Sequence, residues 1–184
     1  CAKDIAKRLF FVAYMQSSLT DEEEMERAQR VVEEVGGSWD VLDMQSAVDE
    51  SVDIVFRDNE FPVADPCSTI KEGAKVDHST RSALRAYTAA HQRCRVVLSY
   101  LYSQVVLPYL SERPRDGKLL VLGNGSVDSA LKGTVVKHAN VSDMDPLGGI
   151  AEKDLLRFTA YAAQWYPSLA EVAAIAKRSV SELV

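Results

Sequence analysis

The chain has 184 residues and a formal net charge of -6, from 21 lysines and arginines against 27 aspartates and glutamates, and 47% of its residues are hydrophobic. That apolar mass is enough for one domain with a real core, and the acidic balance offers no electrostatic footprint for nucleic acid or an anionic membrane. Cys1, Cys67 and Cys94 are odd in number and lack CxxC spacing, which disfavours a disulfide framework and a zinc site. No apolar stretch approaches the roughly 18 residues of a membrane span and no signal-like region opens the chain, so a soluble, cytoplasmic protein is expected. The first residue is Cys1, not Met, and an internal piece of something longer, incomplete at its N-terminus, is expected.

Leu9 to Met15 is a continuous apolar run of strand length. Thr20 and Glu23 are spaced as a capping box for a following helix, the hydroxyl accepting an early amide and the carboxylate reaching back. The acidic run Asp21 to Glu24 suits the positive end of a helix dipole, and reads above all as a solvated first turn. Met25, Ala28, Val31, Val32 and Val35 recur at helical spacing, and Gly36-Gly37 closes the element. Trp39 to Leu42 is the next strand, and this alternation is the rhythm of a parallel α/β sheet.

Val48, Val52 and Val55 share a face of a second helix. From Arg57 to His78, with Pro62, Pro66 and Gly73, periodicity is lost, and a long loop is expected: a lid, a binding segment or a disordered stretch. Leu84, Tyr87, Cys94, Val97, Leu98, Leu101 and Val105 hold one stripe of a long helix ending near Pro108, where Cys94 is expected as a small buried hydrophobe rather than a nucleophile. Leu119 to Leu122 reads as a strand buried on both faces, a helix runs from about Lys153 to Trp165, and Pro167 starts the last one. No repeat or linker interrupts the chain, so residues 1–184 count as one domain.

Chemistry concentrates in Leu119-Leu-Val-Leu-Gly-Asn-Gly-Ser-Val-Asp-Ser129 and in Ser142-Asp-Met-Asp-Pro-Leu-Gly-Gly-Ile150, with Lys137 between them. An apolar run that stops at glycines and turns into a short helix opens a loop at the carboxyl end of a strand, where open α/β sheets bind ligands. Gly123 and Gly125 allow close backbone approach, and Asn124, Ser126 and the following amides supply donors; a purely structural strand-to-helix turn has the same letters. Asp128 could ligate Mg²⁺ or serve a helix dipole. Lys137 could bind a carboxylate or phosphate as a point charge, or be a surface lysine. Asp143 and Asp145 could contact a ribose, a metal or loop amides. Arg93 and Arg95, two apart, cannot share a helix face. His78, His91 and His138 show no metal spacing and no nucleophile pattern.

In order and spacing these loops resemble the synthetase domain of glutamine-dependent NAD synthetases. In that family a Leu-Val-Leu-Gly strand leads into Ser-Ala-Asn-Val-Asp-Glu-Ser, then Thr-Lys, then Ala-Asp-Ile-Asn-Pro-Ile-Gly-Gly-Ile. Ala13-Tyr-Met-Gln-Ser-Ser18 is similar to its Tyr-Met-x-Ser segment. The resemblance implies an α/β fold of the adenine-nucleotide α-hydrolase type, Rossmann-like, with a parallel sheet flanked by helices. It implies attack on ATP by the carboxylate of deamido-NAD, giving an adenylate and pyrophosphate, then amidation by ammonia to NAD and AMP, with Mg²⁺ and basic groups stabilising phosphate charge.

By the same resemblance Arg93, Lys137 and Asp143 match deamido-NAD-binding positions, and no residue matches as a catalytic group. Met15, Gly123 and Asn124 fall on the ATP side, Asn124 standing where the family has Ser or Thr. Ser129 replaces a metal-binding glutamate and Glu152 an ATP lysine; Asp128 and Lys153, each one position away, are the candidates to compensate as metal ligand and ATP contact. His91 and Ala139 replace a family glutamine and aspartate. The family's pyrophosphate loop, Ser-Gly-Gly-x-Asp-Ser after a first strand, is absent, and it would lie upstream of Cys1 with the glutaminase domain. The implied partners are deamido-NAD, ATP, ammonia and a second copy of the chain paired along the long helix. The alternative is a degraded synthetase-like domain serving as a nucleotide-binding or scaffold subunit.

Overall fold

A computed structural model describes residues 2–56, 66–72, 75–110, 116–131 and 142–181. Lys137, His138 and Ala139, and residues 57–65 of the expected loop, lie outside the described residues. An unanticipated helix, α1 (Ala2–Leu9), precedes strand β1 (Phe11–Gln16), and α2 (Glu22–Val35) returns the chain to β2 (Ser38–Asp43). The two strands pair in parallel, from Phe11 opposite Ser38 to Gln16 opposite Asp43, as a helical crossover requires.

The capping box at Thr20 and Glu23 does not form. The helix is capped one residue later, by Asp21 accepting from the Glu23 amide. The Thr20 hydroxyl instead donates to the Ser17 carbonyl at 2.6 Å and accepts from the Ser17 amide, closing the turn after β1. At the other end Gly36 sits at φ 89 with its N–H on the Val32 and Glu33 carbonyls, the left-handed stop that glycine accommodates without cost to a Cβ.

Helix α3 (Gln45–Phe56) follows β2 directly, and α4 (Pro66–Glu72) interrupts the stretch expected as loop. Pro66 at its first position fits, since the amide it lacks would have had no helical partner. Helix α5 (His78–Val105) opens on Asp77, which accepts from Thr80 N–H. It widens into a π-helical turn, Val106–Leu110, around Pro108, whose missing N–H and ring forbid the ordinary i to i-4 pattern.

Met15, Met44, Val48 and Tyr87 form the core cluster, with Val52, Ile70, Cys94 and Leu98 packed against it. The apolar stripes continue past this core: Val55, Val97 and Leu101 are more than half exposed.

The third extended segment, Leu119–Leu122, differs from a strand buried on both faces. Leu122 bridges Met144 in parallel on one side; among the described residues no strand lies on the other side, and Leu120 and Leu122 are 64% and 52% exposed. The short α6 (Val127–Leu131) follows, then α7 (Glu152–Ala162) and α8 (Ser168–Ser181). Helix α8 is fastened to α2 where Ser168 donates from its amide and hydroxyl to Glu34 and where Arg30 meets Glu171 at 2.7 Å. Among the described residues no helix is long and apolar enough to cross a membrane.

Candidate functional site

Helix α5 presents different faces to two hollows. The first, about 600 Å³, lies between the outer edge of β1 and the Leu119–Asn124 segment, and Gln92, Arg95 and Ser99 of α5 line it together with Met15, Gly123 and Asn124. The second, about 560 Å³ and mostly apolar, lies between α3 and α5 and is lined by Val52, Cys94, Leu98 and Arg93. Residues two apart on a helix are some 200° apart around its axis, so Arg95 turns to the first hollow and Arg93 to the second. Met15, Gly123 and Asn124 therefore meet in one cavity, while Arg93 opens elsewhere.

Gln92 was passed over in the sequence, and Arg95 was set beside Arg93 without a choice between them. Their signal was Gln92, Arg95, Ser99 and Tyr102, polar residues at helical spacing beside the apolar stripe. Arg95 lies close enough to Tyr14 to favour its phenolate, yet burial and the Glu24 charge outweigh it and hold the Tyr14 hydroxyl above its ordinary value.

Behind Gly123 the Ser142–Ile150 loop is held by its own aspartates. The Asp143 amide donates to the Val121 carbonyl at 2.9 Å, and Val121 N–H donates to the Asp143 carboxylate at 2.8 Å. Tyr100 on α5 donates to the other carboxylate oxygen at 3.4 Å, and burial first, then the Asp143 charge, raises the Tyr100 pKa. A Cβ on Gly123 would stand 2.6 Å from Ser142 Oγ and 2.9 Å from Asp145 Oδ1, so any larger residue there would have to displace the Ser142 hydroxyl and the Asp145 carboxylate. Asp143 thus sits beside the cavity mouth with both oxygens in protein hydrogen bonds.

After the glycines, Ser126 Oγ accepts from Ser129 N–H and the two hydroxyls lie 3.1 Å apart, a side-chain cap on α6. Asp128 accepts the Glu152 amide at 2.5 Å and so serves the start of α7, whose own N-cap, Ala151, has no side chain to do so. Lys153 is exposed in that same first turn. Among the described residues no three His, Cys, Asp or Glu side chains gather as a metal site. Lys137 lies outside the described residues.

At the carboxyl end of β1, Ser18 donates to Gln45 Oε1 from its amide and hydroxyl, and Gln45 Nε2 donates to Tyr87 OH at 3.1 Å. Cys67 Sγ lies 2.8 Å from Ser18 Oγ and 3.4 Å from Tyr87 OH. This polar knot ties β1, α3, α4 and α5 together, and burial raises the Tyr87 pKa.

No family model matches the chain. The glutamine-dependent NAD(+) synthetase of Saccharomyces cerevisiae is 33% identical over 168 residues, 89% of this chain and 22% of the relative. That of Arabidopsis thaliana is 31% identical over 94% of this chain and 23% of the relative. The chain is homologous to glutamine-dependent NAD synthetases. It spans about a quarter of the length of the curated relatives it matches.

Two solved structures share the fold: the glutamine-dependent NAD+ synthetase of Acinetobacter baumannii in complex with ADP, with TM-score 0.61, 14% identity and 91% of this chain covered against 26% of that one, and the NH3-dependent NAD synthetase of Campylobacter jejuni, with TM-score 0.55, 16% identity and 89% covered against 56%. The shared fold bears out the α/β, Rossmann-like class expected from the loops.

Proposed function

We propose that these residues are the nucleotide-handling part of a longer cytoplasmic polypeptide that converts deamido-NAD to NAD, activating the carboxylate with ATP as an adenylate and amidating it with ammonia from a glutaminase domain outside residues 1–184. The observation that carries this reading is the meeting of Met15, Gly123 and Asn124 in one cavity at the carboxyl ends of β1 and Leu119–Leu122, where open α/β sheets take ligands, in a homologue of NAD synthetases. A neighbour of the same fold holds ADP.

In this proposal Gly123 and Asn124 give the nucleotide a close backbone and polar contact, Met15 an apolar one, and Lys153 a positive charge. Mg²⁺ uses one or two protein carboxylates beside substrate phosphates and water. Asp128, with one oxygen on the Glu152 amide, leaves the other for such an ion, which when bound would offset phosphate charge. Asp143, Lys137 and Arg93 take deamido-NAD. Arg93 opens on the far side of α5, where Val97 and Leu101 are exposed, and that face suits pairing of two copies along the helix.

A second reading, a binding or scaffold subunit, draws on Ser129 and Glu152, which put a neutral and an anionic side chain where the family has a metal ligand and a phosphate-binding lysine. NAD formation by the natural protein, supplied with deamido-NAD, ATP, Mg²⁺ and ammonia, separates the two. Turnover abolished by Lys137→Ala establishes the synthetase; binding of deamido-NAD without turnover establishes the second reading.

A further inference from the structure

The turn that follows β1 is built from its own polar groups. Ser17 N–H donates to Thr20 Oγ1 at 3.1 Å, the Thr20 hydroxyl donates to the Ser17 carbonyl, and Leu19 N–H donates to Ser17 Oγ at 3.3 Å. Those bonds give the turn its shape and leave its position open, since each closes within Ser17–Thr20. Among the described residues, its hydrogen bonds to other elements run through Ser18. The Ser18 amide and hydroxyl both donate to Gln45 Oε1, at 3.0 and 2.7 Å, and the hydroxyl meets Cys67 Sγ.

Gln45 is held in turn. Its backbone N–H donates to Asp43 Oδ1 at 2.9 Å where α3 begins, and its Nε2 donates to Asp49 Oδ1 at 2.7 Å and to Tyr87 OH at 3.1 Å. An ionised carboxylate only accepts, so Asp49 fixes which end of the Gln45 amide is nitrogen and thereby turns Oε1 toward Ser18. Tyr87 OH accepts from Gln45, which leaves its own proton for the side where Cys67 Sγ lies 3.4 Å away. Tyr87 is 5% exposed, so this run of bonds leads from the packed core out to the turn. Polarised in series, such bonds hold a geometry more firmly than one contact does.

The turn starts beside the first hollow. Met15, two residues before it, lines that hollow, and Arg95 lines it from α5. The Tyr14 hydroxyl bonds to Thr20 and feels the Arg95 charge. The turn therefore closes the carboxyl end of β1, where ligands of open α/β sheets lie.

We infer that Gln45 is a positioning residue for the nucleotide: locked by Asp49 and Tyr87, it holds Ser18 and so sets where the Ser17–Thr20 turn stands against the ATP-binding end of β1, without itself touching ATP. The inference rests on the nucleotide reading of the first hollow. Its consequence is selective, because Arg93 and Asp143, assigned to deamido-NAD, take no part in this network.

The test uses the natural protein, titrated calorimetrically with ATP and, separately, with deamido-NAD, alongside urea unfolding. Gln45→Leu removes the amide and is expected to weaken ATP binding roughly tenfold, as for two lost hydrogen bonds, with deamido-NAD affinity unchanged. Ser18→Ala, at a half-exposed position, removes one of the two bonds and is expected to weaken ATP about threefold; it keeps the inference open to refutation should Gln45→Leu fail to fold. In the Ser18→Ala background Gln45→Leu costs less ATP affinity than it does alone, since both act through one contact. Equal losses for ATP and deamido-NAD, or losses that follow the urea midpoint alone, make Gln45 a stabilising residue only and overturn the inference. Unchanged ATP affinity in both variants does the same. A wild type that binds no ATP refutes the nucleotide reading itself, and this inference with it.

Discussion

Replacing Asp128 by alanine and by asparagine separates a helix cap from a metal ligand. Helix α7 starts after Ala151, which offers no capping side chain, and its Glu152 amide is taken by Asp128 from 24 residues away. Loss of a side-chain cap costs about 1 kcal/mol, and loss of a carboxylate at a helix start about 0.5 kcal/mol more at an exposed site. Asp128→Ala should therefore destabilise by about 1.5 kcal/mol, lowering Tm by roughly 3–6 °C for a chain of this size. Asp128→Asn keeps the acceptor and loses only the charge, so its cost stays near 0.5 kcal/mol. Urea unfolding followed by circular dichroism reads the order of stability, and calorimetric titration with ATP in the presence and absence of Mg²⁺ reads the metal. A ligand role predicts that asparagine removes the Mg²⁺ dependence as fully as alanine does, despite its near-native stability. Alanine and wild type unfolding at the same urea concentration would refute the cap.

Gly123→Ala places a Cβ 2.6 Å from Ser142 Oγ; a cost of about 1–3 kcal/mol is expected from the overpacking, seen as a lowered urea midpoint, and an unchanged midpoint would contradict the close approach of the Ser142–Asp145 loop. Val48 is fully buried and Val55 is 75% exposed, so Val48→Ala should cost about 2 kcal/mol and Val55→Ala under about 0.5 in the same assay. Tyr102 has its pKa raised from 10.0 to about 12, by burial first and then by the Asp40 charge and hydrogen bond. Between those values the folded state holds the extra proton, so stability is intact below pH 10 and falls as pH rises toward 12, by on the order of 1 kcal/mol after discounting for solvent. Tyr102→Phe removes that slope in unfolding measured across the window.

The alternation from β1 through α2 to β2 was legible because each element carries its own period: an apolar run, a helical repeat from Met25 to Val35, and a glycine stop. Pairing was not. Leu119–Leu122 reads as a doubly buried strand from its letters, yet burial depends on what lies beside it, and among the described residues only the Met144 side is paired. Helix α4 was hidden by Pro62, Pro66 and Gly73, which read as breakers although Pro66 opens a helix. At the site, Gly123 and Asn124 were visible as a strand-to-turn pattern, whereas Arg95 was not, since choosing between two arginines two residues apart needs the rotation of α5 about its axis. The Asp128 contact with Glu152 spans 24 residues and leaves no local signature.

Two of the residues that depart from the family pattern, Ser129 and Glu152, have a structural use where they stand. Ser129 closes onto Ser126 at the start of α6. Glu152 begins α7, where an acidic side chain is favoured by the helix dipole and where the lysine it replaces would have been disfavoured. Asp128 completes the arrangement by accepting the amide of that glutamate. Recognition that depends on backbone geometry, as at Gly123, survives such exchanges, because the Asp143 and Val121 hydrogen bonds that shape it involve none of these three residues. Recognition that depends on charge does not, since a serine brings no anion to a hard cation. In the proposed function, nucleotide binding and its metal dependence are therefore separable, and the side chains of Asp128, Ser129, Glu152 and Lys153 decide whether both are present.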